Sequence, residues 1–198
     1  MDYRARQRRL EITLMESGAD AFLATHPPNV RYLCGFSGSS GAIALARGKR
    51  VLFTDGRYAA QGREQAHGVR LVVAQGPLLE AAAAWLGRQR VRRIGVEALH
   101  MTLATRSALA RLLPPRARLK PLQGLLERQR MIKEPAEVAL IRSAVCLSSS
   151  HFDRALKFLR PGVREAEVAG EIEYAARRAD AQGMSFETIV AGDRKSVV

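Results

Sequence analysis

Residues 29–58, NVRYLCGFSGSSGAIALARGKRVLFTDGRY, contain the clearest pattern of secondary structure in the chain. It contains two short apolar runs, GAIALA (41–46) and VLFTD (51–55), separated by the polar sequence RGKR. Two such runs joined by a glycine-containing turn predict an antiparallel β-hairpin. Before the hairpin, the prolines of HPPNVRYLCGF (26–36) predict the first turn of a helix, and ADAFLAT (19–25) predicts a short buried strand.

Helices and strands alternate on both sides of this stretch, up to about residue 121. On the amino-terminal side, residues 4–17 predict an amphipathic helix with Leu10, Leu14 and Met15 on one side and Gly18 as its end. On the other side the pattern predicts a short helix at 57–65, a strand at 69–74, a helix at 77–89, a strand at 92–98, a helix at 103–113 and a strand at 117–122. This alternation predicts an α/β domain with a mostly parallel or mixed sheet.

The remainder of the chain has a different pattern. Apolar residues keep helical spacing from 134 to 159 and again from 164 to 182, and MSFETIVAG (184–192) predicts a strand. The apolar faces of these helices need a partner layer that the sequence does not supply, so the second domain is expected to be incomplete. We therefore divide the chain into a domain at 1–125, a linker with the start of a truncated domain at 126–192, and a tail at 193–198.

The tail DRKSVV (193–198) interrupts what looks like the start of a new sheet. Its back-translation GAT CGG AAG AGC GTC GTG resembles the stem of a common short-read sequencing adapter. We expect residues 193–198 to be non-native, and a natural stop or a frameshift is the alternative.

Composition limits the class of protein. The 198 residues are 47% hydrophobic, which is typical of a globular chain. No apolar run approaches the ~20 residues of a membrane span, and the amino terminus lacks the apolar core of a secretory signal. Cys34 and Cys146 match neither a disulfide framework nor a paired-cysteine metal site, so both are expected to be core thiols in a reducing, cytoplasmic compartment.

The net charge of +13 invites a nucleic-acid interpretation. Of the 32 Lys and Arg residues, 20 lie within 1–125 beside only 8 Asp and Glu. They lack aromatic interleaving and a recognition-helix layout, so we interpret them as solvated helix faces and expect no specific nucleic-acid partner and no membrane partner.

Catalytic constellations are scarce. None of the four histidines, His26, His67, His100 and His151, has metal-ligand spacing, so each is expected to be a surface or cap residue. The sequence GFSGSSG (35–41) does not match a nucleophile elbow or a phosphate loop. It is either a glycine-rich connection into the hairpin or a loop whose backbone and hydroxyls face a ligand.

Three stretches of the sequence resemble a known protein family. NVRYLCGFSGSSG followed by VLFTDGRY resembles the creatinase-type amino-terminal domain of Xaa-Pro peptidases, the aminopeptidase P and prolidase relatives of the pita-bread metallopeptidase family. ERQRMIKEPAEVALIRSAV (127–145) is similar to the family's link into its catalytic domain. Residues 159–192 resemble the second helix and first strand of that catalytic α+β domain.

The resemblance implies a hydrolase with two divalent metals, manganese, cobalt or zinc, that activate water. In the family, five ligands (two Asp, one His and two Glu) follow the strand that resembles 185–190, so no metal ligand and no catalytic residue can be carried over to this chain. The resemblance also implies short proline-containing peptides as substrates and a homodimer for the complete protein. We expect this chain to be an inactive fragment of such a peptidase; a non-enzymatic peptide- or protein-binding module of the same family is the alternative.

Arg31 and the loop at 35–41 are the positions expected to face the substrate. For Arg31, a surface charge on a helix is the alternative interpretation.

Overall fold

The computed structural model describes residues 1–192 and divides the chain into two compact units, Met1–Ile132 and Lys133–Val198. The predicted non-native tail at 193–198 lies outside the described residues.

A six-stranded mixed sheet forms the centre of the first unit, in the order β4-β3-β2-β1-β5-β6. Its strands are β1 (Ala21–Ala24), β2 (Gly41–Ala46), β3 (Lys49–Thr54), β4 (Arg70–Val73), β5 (Arg93–Glu97) and β6 (Arg118–Leu122). Strand β2 is antiparallel to both of its neighbours, and the other adjacent pairs are parallel. The predicted α/β class, the mixed sheet and the β2–β3 hairpin are thereby confirmed.

Six helices accompany this sheet. They are α1 (Tyr3–Glu16), α2 (Pro27–Cys34), α3 (Ala59–Gln65), α4 (Leu78–Arg88), α5 (Leu103–Leu112) and α6 (Leu125–Met131), and a 3-10 turn at Gly56–Tyr58 precedes α3. Helix α6 was not predicted, yet Leu125 and Leu126 are buried in the core of this unit.

The core has two layers, one on each face of the sheet. On one face, strand residues pack with Trp85, Leu86 and Leu109 of α4 and α5. On the other face, they pack with Leu10 of α1 and Leu33 of α2. Side chains alternate between the two faces along each strand, so β1, β2 and β3 each contribute buried residues to both layers.

Two positions on α1 differ from the prediction. Met15 is 70% exposed, whereas Leu10 and Leu14 are buried. Positions 14 and 15 are about 100° apart around a helix, so a narrow buried stripe that contains Leu14 excludes its neighbour. Arg6, which we interpreted as part of a solvated basic face, is only 1% exposed, and its guanidinium donates a 3.1 Å hydrogen bond to the carbonyl of Tyr32.

The second unit contains two helices among its described residues, α7 (Pro135–Phe158) and α8 (Glu165–Arg178). The predicted strand at 184–192 is wrong for this structure: no strand is assigned there, and Phe186 and Ile189 are exposed. A strand needs a neighbour to pair with its backbone N–H and C=O groups, and the described part of this unit offers none.

Helix α7 presents the apolar stripe that the sequence predicted. Ile141, Val145, Phe152 and Leu156 on this helix are all exposed. Cys146 is exposed as well, which corrects its prediction as a core thiol, whereas Cys34 is buried as expected. The cause for Cys146 is that two helices alone bury few side chains.

Candidate functional site

The carboxyl ends of five strands meet at one edge of the sheet. Strands β1, β3, β4, β5 and β6 all run toward this edge, and only β2 begins there. In open α/β sheets, ligands bind outside the carboxyl ends of the strands. Helix α2 and the loop at 35–41 both follow β1 at this edge, so the two predicted substrate-facing features lie where the topology favours a site.

Glu97, the last residue of β5, anchors the start of α2. Its side chain is buried, with the whole residue 4% exposed. One carboxylate oxygen accepts hydrogen bonds from the backbone N–H groups of Thr25 (2.7 Å) and His26 (2.9 Å). The other accepts one from the side-chain amide of Asn29 at 2.9 Å. A carboxylate is favoured here because the N–H groups of Thr25 and of the N-cap His26 have no partner inside α2, and the start of a helix carries partial positive charge.

Asn29 extends this contact into a network. It is fully buried, and its amide also donates a 2.8 Å hydrogen bond to Glu127 of α6. Its side-chain oxygen accepts a 2.9 Å hydrogen bond from Arg130, also of α6. Every polar atom of the Asn29 side chain is thereby satisfied, and the network joins β5, α2 and α6 at one point.

Two histidines cover the network. The rings of His26 and His100 are stacked, with centroids 3.6 Å apart, and His100 Nε2 lies 2.9 Å from a Glu127 oxygen. Burial and the neighbouring His100 lower the pKa of His26. Burial alone would raise the pKa of Glu127, but the hydrogen bonds that it accepts from Asn29, its own backbone and His100 outweigh burial and lower it. Glu127 is therefore held as a carboxylate.

The loop at 35–41 is shaped around one aromatic ring. Phe36 is fully buried, and its ring lies where side chains on two glycines would have to go. A Cβ added to Gly38 would lie 2.4 Å from Phe36 Cζ, and one added to Gly41 would lie 2.7 Å from Phe36 Cε1. Gly35 ends α2 in the left-handed conformation with φ +88°, which favours glycine. The glycine spacing of GFSGSSG therefore reflects close packing within the loop.

Hydroxyl groups of the loop are held by α3 and its preceding turn. The N–H and hydroxyl of Ser37 both contact the side-chain oxygen of Gln65 at 3.0 Å. The Ser39 hydroxyl lies 2.7 Å from the Tyr58 hydroxyl, and the Tyr58 ring meets Phe36 edge-on at 5.9 Å. Ser37 and Ser39 remain exposed, so the loop presents fixed hydroxyls and backbone to solvent.

Asp55 begins the turn on the other side of the loop. Its carboxylate accepts hydrogen bonds from the backbone N–H (3.0 Å) and the guanidinium (2.9 Å) of Arg57. These bonds, with a further one from Ser40, hold the pKa of Asp55 well below its usual range. Asp55 therefore remains a carboxylate that fixes the turn and is unsuited to act as an acid.

Arg31 lies on α2, one turn before the loop. Its side chain is exposed, and within residues 1–192 it has no hydrogen-bond or ion-pair partner. The Arg31 carbonyl accepts the 2.8 Å hydrogen bond from Gly35 that ends the helix. The backbone of this residue is thus fixed while its guanidinium is available.

Metal ligands are not clustered in the part of the chain that the structure describes. No group of three or more His, Cys, Asp or Glu residues there is placed to hold a metal ion. The helices within 1–192 also include none that is long and apolar enough to cross a bilayer.

Sequence reasoning missed the Glu97–Asn29–Glu127 network. Its members come from β5, α2 and α6 and lie up to 98 positions apart along the chain. The only available signal was a charged residue at the end of an otherwise apolar strand, RRIGVEA, because a buried strand end rarely carries an unpaired carboxylate.

Two family descriptions match this chain. Residues 6–132 match the creatinase/prolidase amino-terminal domain, and residues 139–198 match metallopeptidase family M24. Among curated relatives, the peptidase YqhT of Bacillus subtilis (strain 168) is 32% identical over 179 residues, which are 90% of this chain and 50% of the relative. A peptidase of Staphylococcus aureus (strain bovine RF122 / ET3-1), SAB1567, is 26% identical over 177 residues, 87% of this chain and 49% of the relative. The chain thus spans about half the length of the curated relatives it matches.

Solved structures agree with these matches. The Xaa-Pro dipeptidase from Bacillus anthracis superimposes with a TM-score of 0.89 at 29% identity, covering 93% of this chain and 52% of that one. The amino-terminal domain of the cytoplasmic peptidase PepQ from Mycobacterium tuberculosis H37Rv superimposes with a TM-score of 0.59 at 34% identity, covering 63% of this chain and 97% of that domain.

Proposed function

Because this chain belongs to the creatinase/prolidase amino-terminal domain family, with a metallopeptidase M24 segment behind that domain, we propose that it is part of an Xaa-Pro peptidase. The single observation that supports this most strongly is the superposition on the Xaa-Pro dipeptidase from Bacillus anthracis, which covers 93% of this chain. The substrates proposed are short peptides that contain an X-Pro bond. A cytoplasmic location is proposed as well, because the cytoplasmic peptidase PepQ shares the first unit.

The M24 family implies divalent metals in its full-length members. The residues at 1–192 do not fit such a group, because no cluster of ligands is present among them. We propose that the 198-residue chain alone does not hydrolyse peptides. Its part in the reaction is to recognise the substrate and to limit access to short peptides. The homodimer of the complete protein stays a prediction.

Within this proposal, Arg31 binds the carboxylate of a short peptide. The guanidinium is exposed beside a loop held in place by Phe36, and a fork of N–H donors matches a carboxylate. Since α2 is anchored at its start by Glu97 and at its end by Gly35, the group is presented from a fixed element. Pre-organisation of this kind reduces the entropy that binding has to overcome.

The test uses the chain with residues 193–198 replaced by the coding sequence that follows codon 192 in its genome. We expect release of the amino acid from X-Pro dipeptides or tripeptides with manganese, cobalt or zinc, and little from X-Ala peptides. Arg31→Ala should raise KM at least ~5-fold with kcat nearly unchanged, since a ground-state contact is removed.

Arg106→Ala provides the matched control, because Arg106 is an exposed arginine on α5, on the other face of the sheet. Equal KM values for the Arg31 and Arg106 variants would show that Arg31 is only a surface charge. Binding of X-Pro peptides without hydrolysis by the extended protein would favour the non-enzymatic binding module instead.

A further inference from the structure

The edge of the sheet opposite the candidate site is strongly basic. Strands β3, β4, β5 and β6 each begin with a cation, Lys49, Arg70, Arg93 and Arg118, and all four side chains are exposed. We interpreted the cations of this domain as solvated helix faces, but the strand order places these four at the same edge of the sheet.

Two of these cations border a single cleft together with Arg88, the last residue of α4. Lys49, Arg70 and Arg88 line a cavity of about 610 Å³ on the α4 side of β3 and β4, together with Phe53 and Trp85. Arg70 lies beside Val51 in the parallel β3–β4 pair, so the two side chains are on the same face of the sheet. Lys49 is two positions before Val51 on β3 and shares that face. Lys49 and Arg70 therefore emerge on the same face of the sheet, toward the cation at the end of α4.

Charge within this cleft is uncompensated. No Asp or Glu lines it, and none of its three cations has a hydrogen-bond or ion-pair partner within residues 1–192. Like charges gathered in one concavity repel each other and raise the local positive potential. An anion is the partner that would remove this repulsion.

A second cavity at the same edge serves as a contrast. It has a volume of about 470 Å³, and its charged lining residues are two acids and two arginines, Glu11, Asp20, Arg47 and Arg93. Both acids are paired, because Asp20 lies 3.4 Å from Arg93 and Glu11 lies 2.7 Å from Arg50 of β3, so acids and cations balance in this cavity. The excess of cations is therefore a property of the Lys49–Arg70–Arg88 cleft and not of every depression on this edge.

Neutral donors complete the lining. Trp85 is only 8% exposed, and no residue within 1–192 accepts a hydrogen bond from its indole N–H. Gln89 also lines the cleft, and its amide donates a 3.2 Å hydrogen bond to the carbonyl of Trp85. A volume of this size is in the range of small-ligand sites, ~300–1,000 Å³, and two guanidinium forks match phosphate oxygens.

We propose that the Lys49–Arg70–Arg88 cleft is a binding site for a phosphate ester, separate from the peptide site. Arg70 and Arg88 contact phosphate oxygens, Lys49 adds a third positive charge, and Trp85 forms the inner wall. The phosphate comes either from a free nucleotide or from the backbone of a nucleic acid. Phosphate binding in this cleft does not require peptide hydrolysis.

Trp85 makes the proposal measurable, because it is the only tryptophan in the chain. The full 198-residue chain is titrated with inorganic pyrophosphate while tryptophan fluorescence is recorded, and potassium chloride at equal ionic strength serves as the reference. We expect a saturable fluorescence change with pyrophosphate alone. The variant carrying Arg70→Gln and Arg88→Gln should weaken binding at least ~10-fold, since two charge-assisted contacts are lost.

Arg92→Gln is the matched control, since Arg92 is an exposed arginine at the same edge that does not line the cleft. Its affinity should equal that of the unmodified chain. Unchanged thermal unfolding of the double variant shows that the loss of binding is not a loss of folding.

Competition identifies the source of the phosphate. If ADP displaces pyrophosphate and an oligothymidylate of ~12 nucleotides binds no more tightly than ADP, the ligand is a free nucleotide. If the oligonucleotide binds more tightly than ADP and its affinity falls steeply with salt, the ligand is nucleic acid. The proposal is overturned if pyrophosphate produces no more change than chloride, or if the double variant binds as well as the Arg92 variant.

Discussion

Replacing Glu97 by glutamine tests whether the buried network holds the edge of the sheet together. The carboxylate accepts two backbone N–H groups on one oxygen and the Asn29 amide on the other, at 2.7–2.9 Å. Glutamine has a single acceptor oxygen. If that oxygen keeps the backbone of Thr25 and His26, its NH₂ group faces the Asn29 amide, and two donors oppose each other in a buried site.

The expected cost follows from these contacts. An unsatisfied buried donor costs ~1–3 kcal/mol, and the remaining hydrogen bonds to a neutral oxygen are weaker than those to a carboxylate. We therefore expect Glu97→Gln to lower the free energy of unfolding by ~2–4 kcal/mol. The Asn29 amide cannot simply rotate to offer its oxygen, because Arg130 donates to that oxygen at 2.9 Å.

Urea unfolding followed by Trp85 fluorescence measures this cost, since the only tryptophan lies in the first unit. The matched control is Glu64→Gln, at an exposed glutamate of α3, which should change stability by less than ~0.5 kcal/mol. An unfolding midpoint for Glu97→Gln equal to that of Glu64→Gln, at unchanged slope, would mean that the Glu97 carboxylate does not stabilise this unit.

Three further predictions concern the same unit. Gly38→Ala should destabilise it by ~1–3 kcal/mol, because the added Cβ would lie 2.4 Å from the buried ring of Phe36. The control Gly56→Ala has open space at its Cβ and should cost less than ~1 kcal/mol, and thermal unfolding measures both variants. The pKa of Glu127 is lower in the folded protein than its ordinary value of 4.5, so Glu127 stabilises the fold above pH 4.5 and this stabilisation is lost as pH falls through the folded-state pKa. In Glu127→Gln the free energy of unfolding should therefore fall less steeply as the pH is lowered. A chain of residues 1–132 should unfold cooperatively, while a chain of residues 1–121 lacks α6 and the last residue of β6, Leu122, and should unfold at lower urea; equal midpoints would contradict this.

Features that depend on local contacts were predicted from the sequence, and features that depend on contacts between distant segments were not. The β2–β3 hairpin and the alternation of strands and helices follow from local apolar periodicity, so they were predicted. The exposed stripe of α7 was predicted as well, because helical spacing shows which side chains share a face. The strand at 184–192 was not formed, because pairing depends on a neighbour that local sequence cannot guarantee.

Contacts between distant segments escaped prediction. Arg6 looked like one of several arginines on a basic helix, but Tyr32 provides a carbonyl and a ring face that allow its burial. Likewise, the cleft lined by Arg70 and Arg88 depends on strand order, which brings together cations from different parts of the chain. Composition gave the amount of charge, and only topology gave its location.

Peptide turnover by two proteins, measured side by side, shows whether the 198-residue chain is itself a peptidase. One protein is the purified 198-residue chain, and the other carries the genomic continuation after residue 192; both receive manganese and an X-Pro dipeptide. We expect metal-dependent release of the amino-terminal amino acid by the extended protein and none by the 198-residue chain. Turnover by the 198-residue chain would contradict this, because a metal site would then exist where residues 1–192 provide no ligand cluster.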